Sequence, residues 1–203
     1  MLRYGTIRQG AAGIALLAVL TLALGFGYPL VVTGISQLFF HHQANGSLVY
    51  SNGKLTGSAL LGQSFTNAKG NPLPQYFQPR PSAVDYNGAG SGASNLGPSN
   101  PVLLNQVSER ARAYRAFNHL PAGAAVPVDA VTASGSGLDP DISVANALDQ
   151  ASRVAAARHL PTARVIALVY QYTTGSQWGF LSEPVVNVLQ INMALDGLKG
   201  GSR

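Results

Sequence analysis

The chain has 203 residues, with 13 Lys and Arg against 8 Asp and Glu, a net charge of +5, and no Cys. Without cysteine, a disulfide framework and a thiolate zinc site are both excluded. Only 10% of the residues are charged, and aromatic residues do not alternate with the basic ones. This composition argues against nucleic acid as a partner.

The first segment of the chain is apolar. No Asp, Glu, Lys or Arg occurs between Arg8 and Lys54. At about 1.5 Å of rise per residue, a helix from Ile14 to Ile35 is roughly 33 Å long, which matches the hydrocarbon core of a bilayer. We therefore predict a cytoplasmic N-terminus and transmembrane helix over residues 1–40, followed by a soluble domain over residues 41–203. The predicted anchor residues are Ile14, Leu17, Leu20, Leu24, Tyr28, Val31 and Ile35.

A cleaved signal peptide is the alternative interpretation of this segment. Ala23-Leu24-Gly25 resembles a cleavage site, but apolar residues resume at Phe26 and continue to Phe40, which favours an uncleaved anchor. Arg3 and Arg8 precede the helix, so the positive-inside rule predicts that the soluble domain lies outside the cytoplasm. His41 and His42 suit the outer interface. With no third ligand nearby in sequence, we predict no metal site there.

The soluble part begins with short strands and turns over residues 44–75, including a hairpin turn at Asn52-Gly53. Residues 72–101 are rich in Pro, Gly, Ser and Asn but also carry aromatic residues. We interpret this stretch as an ordered, irregular loop, since a disordered linker tends to lack aromatic side chains.

Helical spacing predicts a helix over Pro101 to Phe117, capped by Ser99 or Asn100, and another that begins near Ser143 and stops at Pro161. Residues 126–142 between them are rich in turn formers. Thr162 to Thr173 fits a helix or a buried strand, and we favour the helix. Alternating apolar residues over 186–195 predict a final strand. The fold class is therefore α+β, with a small sheet, two to three helices and long ordered loops.

Catalytic and cofactor motifs are weak in this sequence. The phosphate-loop pattern and the Gly-x-Ser-x-Gly elbow are absent. Ser134 or Ser136 with His119 or His159 would allow a membrane-tethered periplasmic serine hydrolase, which we keep as the alternative function. The carboxylates of the 126–142 segment are better explained by capping and turns than by metal binding; they are Asp129, Asp139 and Asp141.

Four sequence blocks resemble one family. They are Tyr76-Phe77-Gln78-Pro79-Arg80-Pro81-Ser82-Ala83 with Asp85-Tyr86, Ser94-Asn95-Leu96-Gly97-Pro98-Ser99-Asn100-Pro101, residues 126–140, and Glu183-Pro184 with Val186-Asn187-Val188-Leu189. In this order they resemble the C subunit (KdpC) family of the Kdp potassium-transporting P-type ATPase. Asp141 and Val185 depart from the family pattern, where His and Arg are usual, which puts local polar contacts in doubt.

The resemblance implies a non-catalytic accessory subunit in a bacterial inner membrane. Together with the orientation predicted from Arg3 and Arg8, this places the soluble domain in the periplasm. The implied partners are a channel-like potassium-translocating subunit, a P-type ATPase subunit and a small helical subunit. We assign no bound cofactor to the chain itself. The resemblance implies ATP through the complex, since the family is described as raising the ATP affinity of the hydrolytic subunit. From the residues themselves, the candidate partner contacts in the irregular loop are Tyr76, Phe77, Arg80, Tyr86 and Asn95. The alternative is that Tyr76, Phe77 and Tyr86 pin the loop onto their own domain.

Overall fold

The computed structural model describes the backbone of residues 2–198. The chain forms two compact units, which meet in sequence between Leu48 and Val49. The first unit is mainly helical, and the second is a mixed α+β domain. This arrangement confirms the predicted fold class.

The N-terminal unit is helical along most of its length. It comprises α1 (Leu2–Leu22), a π-helical turn (Ala23–Gly27), α2 (Tyr28–Phe39) and α3 (His41–Ala44). The helical segment from Gly5 to Phe39 is long and apolar enough to cross a membrane. Its most apolar part is not buried by other residues of the chain. The π turn lies just before Pro29, whose ring and missing N–H interrupt regular α-helical bonding.

A two-stranded hairpin opens the second unit. Strands β1 (Leu48–Ser51) and β2 (Lys54–Ser58) are joined by Asn52 and Gly53, with φ angles of 49° and 76°. Two successive positive φ angles are what a tight hairpin turn requires, which explains the Asn-Gly pair. The predicted hairpin is confirmed.

The rest of the domain surrounds a three-stranded antiparallel sheet with the order β3-β5-β4. Ile142 of β3 and Thr173 of β4 both lie opposite Val186 of β5. The elements are α4 (Pro101–Phe117), α5 (Val128–Val131), β3 (Asp141–Ser143), α6 (Val144–Arg158), α7 (Thr162–Gln171), β4 (Thr173–Thr174), a 3₁₀ turn (Gln177–Gly179), β5 (Val185–Asn187) and α8 (Val188–Gly197).

The core lies where α6, α7 and α8 pack on the sheet. Ala147, Ala151 and Ala155 of α6 are buried, and these small side chains let the neighbouring elements approach closely. They pack with larger apolar residues from every layer, namely Ile142, Val154, Val165, Val169, Val186, Val188, Ile191 and Leu195.

Three predicted features of the helices are confirmed. The Asn100 Oδ1 accepts from the backbone N–H of Val102 at 2.8 Å, and α4 begins at Pro101. The Ser143 hydroxyl caps α6 by accepting from the backbone N–H of Asn146 at 3.1 Å. The ambiguous segment forms a helix as far as Gln171, and the next two residues after Tyr172 form β4.

The predicted strand over 186–195 is wrong beyond Asn187. The Asn187 Oδ1 accepts from the Gln190 N–H at 3.1 Å, which starts α8. Its fully buried positions include Val188, Ile191 and Leu195, spaced by three and four as in a helix rather than by two. The domain therefore has four helices of ten or more residues within the described part, more than the two to three predicted.

Candidate partner-binding surface

The start of the irregular loop is bound by side-chain amides. The Phe77 N–H donates to the Asn192 Oδ1 at 2.8 Å, and the Asn192 Nδ2 donates to the Phe77 carbonyl at 2.9 Å. Gln150 makes the same pair of bonds with Gln78, at 2.7 and 3.0 Å. The two amides bond the loop backbone as a neighbouring strand would, so its buried polar groups are paired without a sheet.

Arg153 continues this network beneath the loop. It is 3% exposed, and its guanidinium donates to the Asn118 Oδ1 at 2.9 Å, the Gln150 Oε1 at 2.7 Å and the Tyr76 carbonyl at 3.0 Å. The guanidinium carbon lies 4.3 Å from the Phe117 ring centroid. Burial lowers the pKa of Arg153 to about 10, which still leaves it charged at neutral pH, held by neutral acceptors and an aromatic face.

Tyr76 is fixed by contacts within its own domain. Its ring centroid lies 5.3 Å from that of Phe65 and 4.8 Å from the guanidinium carbon of Arg158. Its hydroxyl donates to Asp196 at 3.1 Å, and Arg158 pairs with the same carboxylate at 2.9 Å. Burial, and then the charge of Asp196, raise the pKa of Tyr76, so the hydroxyl stays protonated and donates.

Residues 80–92 and 134–139 come together into one surface, which we call the two-loop surface. Arg80 pairs with Asp139 at 2.7 Å across the two segments. The Ser82 hydroxyl donates to the Gly137 carbonyl at 2.7 Å, and the Gly92 N–H donates to the Ser136 carbonyl at 2.9 Å. Two sequence blocks that are separate along the chain, residues 76–86 and 126–140, thus contribute to a single structural feature.

The shape of the two-loop surface is fixed by unusual backbone conformations. Asp85 and Tyr86 adopt successive positive φ angles of 50° and 58°, which are uncommon outside glycine. The Ser82 hydroxyl accepts from the Tyr86 N–H at 3.1 Å, and the Tyr86 hydroxyl donates to the Arg80 carbonyl. A Cβ on Gly137 would lie 2.6 Å from Val84. Such strain is typical of functional loops whose conformation is held by their surroundings.

The structure separates the five candidate contacts into internal and external groups. Phe77 is 0% exposed, so its ring packs in the core of its own domain, which was the alternative for this residue. Arg80 is 24% exposed and ion-paired, so it is not the free surface cation that the sequence suggested. Tyr76 and Tyr86 are half-buried, and Asn95 is exposed with a φ angle of 54°.

The sequence interpretation missed the residues that hold the loops. Gln150, Arg153 and Asn192 occupy buried positions of helices, among Ala, Val and Ile. Polar side chains at such positions need partners, and that is the signal which could have identified them. Asp139 was interpreted as a turn former; its Oδ1 does accept from the Asp141 N–H at 3.0 Å, but it also binds Arg80.

The two serine residues of the hydrolase alternative stabilise the turn over residues 134–138 instead. The Ser134 hydroxyl accepts from the Gly137 N–H at 2.9 Å, and the Ser136 hydroxyl accepts from the Leu138 N–H at 3.1 Å. Neither hydroxyl bonds to His119 or His159 in the described part of the chain. No group of three or more His, Asp or Glu that could hold a metal occurs among the described residues.

The apolar N-terminal helix and the α+β domain with its fixed loop surface form an architecture compatible with a single-pass membrane subunit. Comparison with known proteins gives the family. Residues 11–197 match the family described as "KdpC: K+-transporting ATPase, c chain". The chain therefore belongs to the KdpC family, and the resemblance in the sequence blocks is confirmed.

Three relatives illustrate how completely the chain matches, and each is named "Potassium-transporting ATPase KdpC subunit". The protein of Mycobacterium bovis BCG is 52% identical over 193 residues, which cover 94% of this chain and 99% of the relative. That of Rhodospirillum rubrum is 52% identical over 192 residues, covering 94% and 96%. That of Paraburkholderia phymatum is 50% identical over 191 residues, covering 93% and 96%.

Proposed function

We propose that this chain is an accessory, non-catalytic subunit of a high-affinity, ATP-driven potassium uptake complex, needed for assembly and activity. The observation that carries the proposal is similarity at 50% to 52% identity, over nearly their whole length, to subunits named for a potassium-transporting ATPase. The other subunits would be a channel-like potassium-translocating protein, a P-type ATPase and a small helical protein, as the family resemblance implies.

The two-loop surface is the proposed docking site for the channel-like subunit. Its strained but well-bonded backbone provides a preformed shape, which lowers the entropy cost of binding. Leu61 lies beside it, since its Cδ1 is 3.8 Å from where a Cβ on Gly88 would sit, and the adjacent Leu60 is 61% exposed. Apolar side chains next to a fixed polar rim fit the composition of a protein interface.

Co-purification tests this docking site. Leu60→Asp places a charge among apolar exposed residues, and Ala163→Asp is the matched control at an exposed position of α7. The tagged wild-type chain and the control should retain the other subunits, whereas Leu60→Asp should lose most of them because an unpaired charge would be desolvated. Equal retention by both variants would refute the docking site, and no retention by the wild type would refute complex membership itself.

The proposed orientation places the N-terminus in the cytoplasm of a bacterium and the domain in the periplasm. Arg3 and Arg8 before the apolar helix support it. Any effect on the ATP affinity of the hydrolytic subunit would then be transmitted through the complex, since the domain lies away from cytoplasmic ATP.

Thiol labelling tests the orientation, because the chain has no native cysteine. We choose Ala163→Cys in exposed helix, since Asn52 in the hairpin has a φ angle of 49° that cysteine rarely adopts. An impermeant maleimide should label Ala163→Cys in intact cells and label Leu2→Cys only after lysis. The opposite pattern would reverse the orientation and make direct contact with ATP the better proposal.

A further inference from the structure

A cleft follows the C-terminal half of α4, in a part of the domain that the proposed function does not use. Its volume is about 260 Å³, and it is lined by Arg112, Arg115, Ala116, Leu120 and Ala122. Two arginine side chains therefore border a pocket whose other lining side chains are apolar. The lining chemistry suits an anionic group joined to an apolar body.

Among the described residues, Arg112 and Arg115 have no acidic partner. Arg112 and Arg115 are three residues apart on one helix, so their side chains are neighbours and repel each other. Within residues 5–198, the ion pairs between an arginine and a carboxylate are Arg80–Asp139 and Arg158–Asp196. Glu109, one turn before Arg112, makes no such pair. The two positive charges of the cleft are therefore uncompensated by carboxylates of the described chain.

Arg115 is also held in place. Its Nε donates to the Ala124 carbonyl at 2.8 Å, across the loop that closes the cleft. Because this bond uses only the Nε, the two terminal nitrogens of the guanidinium remain to donate hydrogen bonds, and such a pair can bind a phosphate. Arg115 lies in the last turn of α4, where the helix dipole favours a cation. The dipole explains one cation at this end, but not a second one beside an open apolar-walled cleft.

We propose that this cleft binds a phosphate group attached to an apolar body. The guanidinium groups of Arg112 and Arg115 would donate to the phosphate oxygens, while Ala116, Leu120 and Ala122 would contact the adjoining apolar part. Two sources supply this chemistry, an anionic phospholipid headgroup and a soluble phosphate ester. The proposal is independent of the proposed function, since the cleft is separate from the two-loop surface.

The experiment uses the full chain in neutral detergent micelles and two probes. Native mass spectrometry measures how many molecules of phosphatidylglycerol and of phosphatidylcholine the chain binds. Isothermal titration calorimetry measures the binding of phenyl phosphate. Arg112→Gln is the principal variant, because the exposed Arg112 side chain makes no hydrogen bond within the described residues. Arg164→Gln, an exposed arginine on α7, is the matched control.

We expect at least one probe to bind and Arg112→Gln to weaken that binding about tenfold or more, as the loss of a charged hydrogen bond implies. Arg164→Gln should change it by less than about twofold. Selective binding of phosphatidylglycerol identifies lipid as the source, and binding of phenyl phosphate identifies a soluble ester. Absence of binding by both probes, or equal effects of the two variants, would overturn the proposal.

Discussion

Replacing Arg80 by Ala tests how the two-loop surface is held together. Arg80 joins the two segments through a 2.7 Å ion pair with Asp139, and the two side chains are 24% and 29% exposed. A hydrogen bond between charged groups contributes about 1.5–3 kcal/mol when desolvated, but less where water reaches it. Within the part of the chain that the structure describes, the Arg80 Nε is buried without a hydrogen-bond partner, so the substitution also removes an unfavourable group.

The two effects together predict a net loss of about 1–2 kcal/mol in the free energy of unfolding. For a domain of this size, each kcal/mol lowers the melting temperature by about 2–4 °C, so Arg80→Ala should lower it by roughly 2–8 °C. Thermal unfolding of the full chain in detergent, followed by near-ultraviolet circular dichroism, measures the shift. Arg164→Ala, at an exposed position with no carboxylate partner among the described residues, is the control and should shift it by less than about 2 °C.

A double-mutant cycle with Asp139→Ala separates the pair from its surroundings. The two substitutions should be non-additive by about 0.5–3 kcal/mol, because each removes the same interaction. An unchanged melting temperature in Arg80→Ala, combined with lost co-purification of the complex, would refute this reasoning. Arg80 would then contact a partner rather than hold its own domain together.

Three further perturbations follow from the buried polar network and the backbone. Asn192→Leu should destabilise the domain by about 2–4 kcal/mol in denaturant unfolding, because the buried N–H and carbonyl of Phe77 lose their partners. Burial, opposed by the hydrogen bond from Asn187, raises the pKa of the Asp141 carboxyl above its ordinary value of 3.8. The folded state therefore binds the carboxyl proton more tightly than the unfolded state does, and the free energy of unfolding falls as pH rises above 3.8. Asp141→Asn should raise the melting temperature at pH 7, by an amount that disappears as pH falls towards 4. Gly137→Ala should lower stability by more than about 1 kcal/mol, since its φ angle is 67° and its Cβ would meet Val84.

Local signals in the sequence predict much of this fold. Asn100-Pro101 and Ser143 determine where two helices begin, and Asn52-Gly53 determines a turn. These features act over a few residues, so they are visible without knowledge of the tertiary structure. The apolar N-terminal helix is equally clear, because composition alone separates it from the rest of the chain.

The errors arise where tertiary contacts decide. Alternating apolar residues after Val186 suggested a strand, yet the Asn187 cap and burial at helical spacing produce α8. For Phe77 and Arg80, in an irregular stretch, the sequence left two environments open, a partner surface and their own domain. Their real environment depends on Asn192 and Asp139, which lie 115 and 59 residues away. Pairings over such distances have no signature in a single sequence.

The proposed role of the chain is in ATP-driven potassium uptake. The most direct measurement is growth of its host at micromolar potassium after deletion of this chain, with expression of the other subunits verified. We predict that growth fails without the chain and returns when the full-length chain is supplied. Normal growth of the deletion strain, with no other high-affinity uptake system present, would contradict the account.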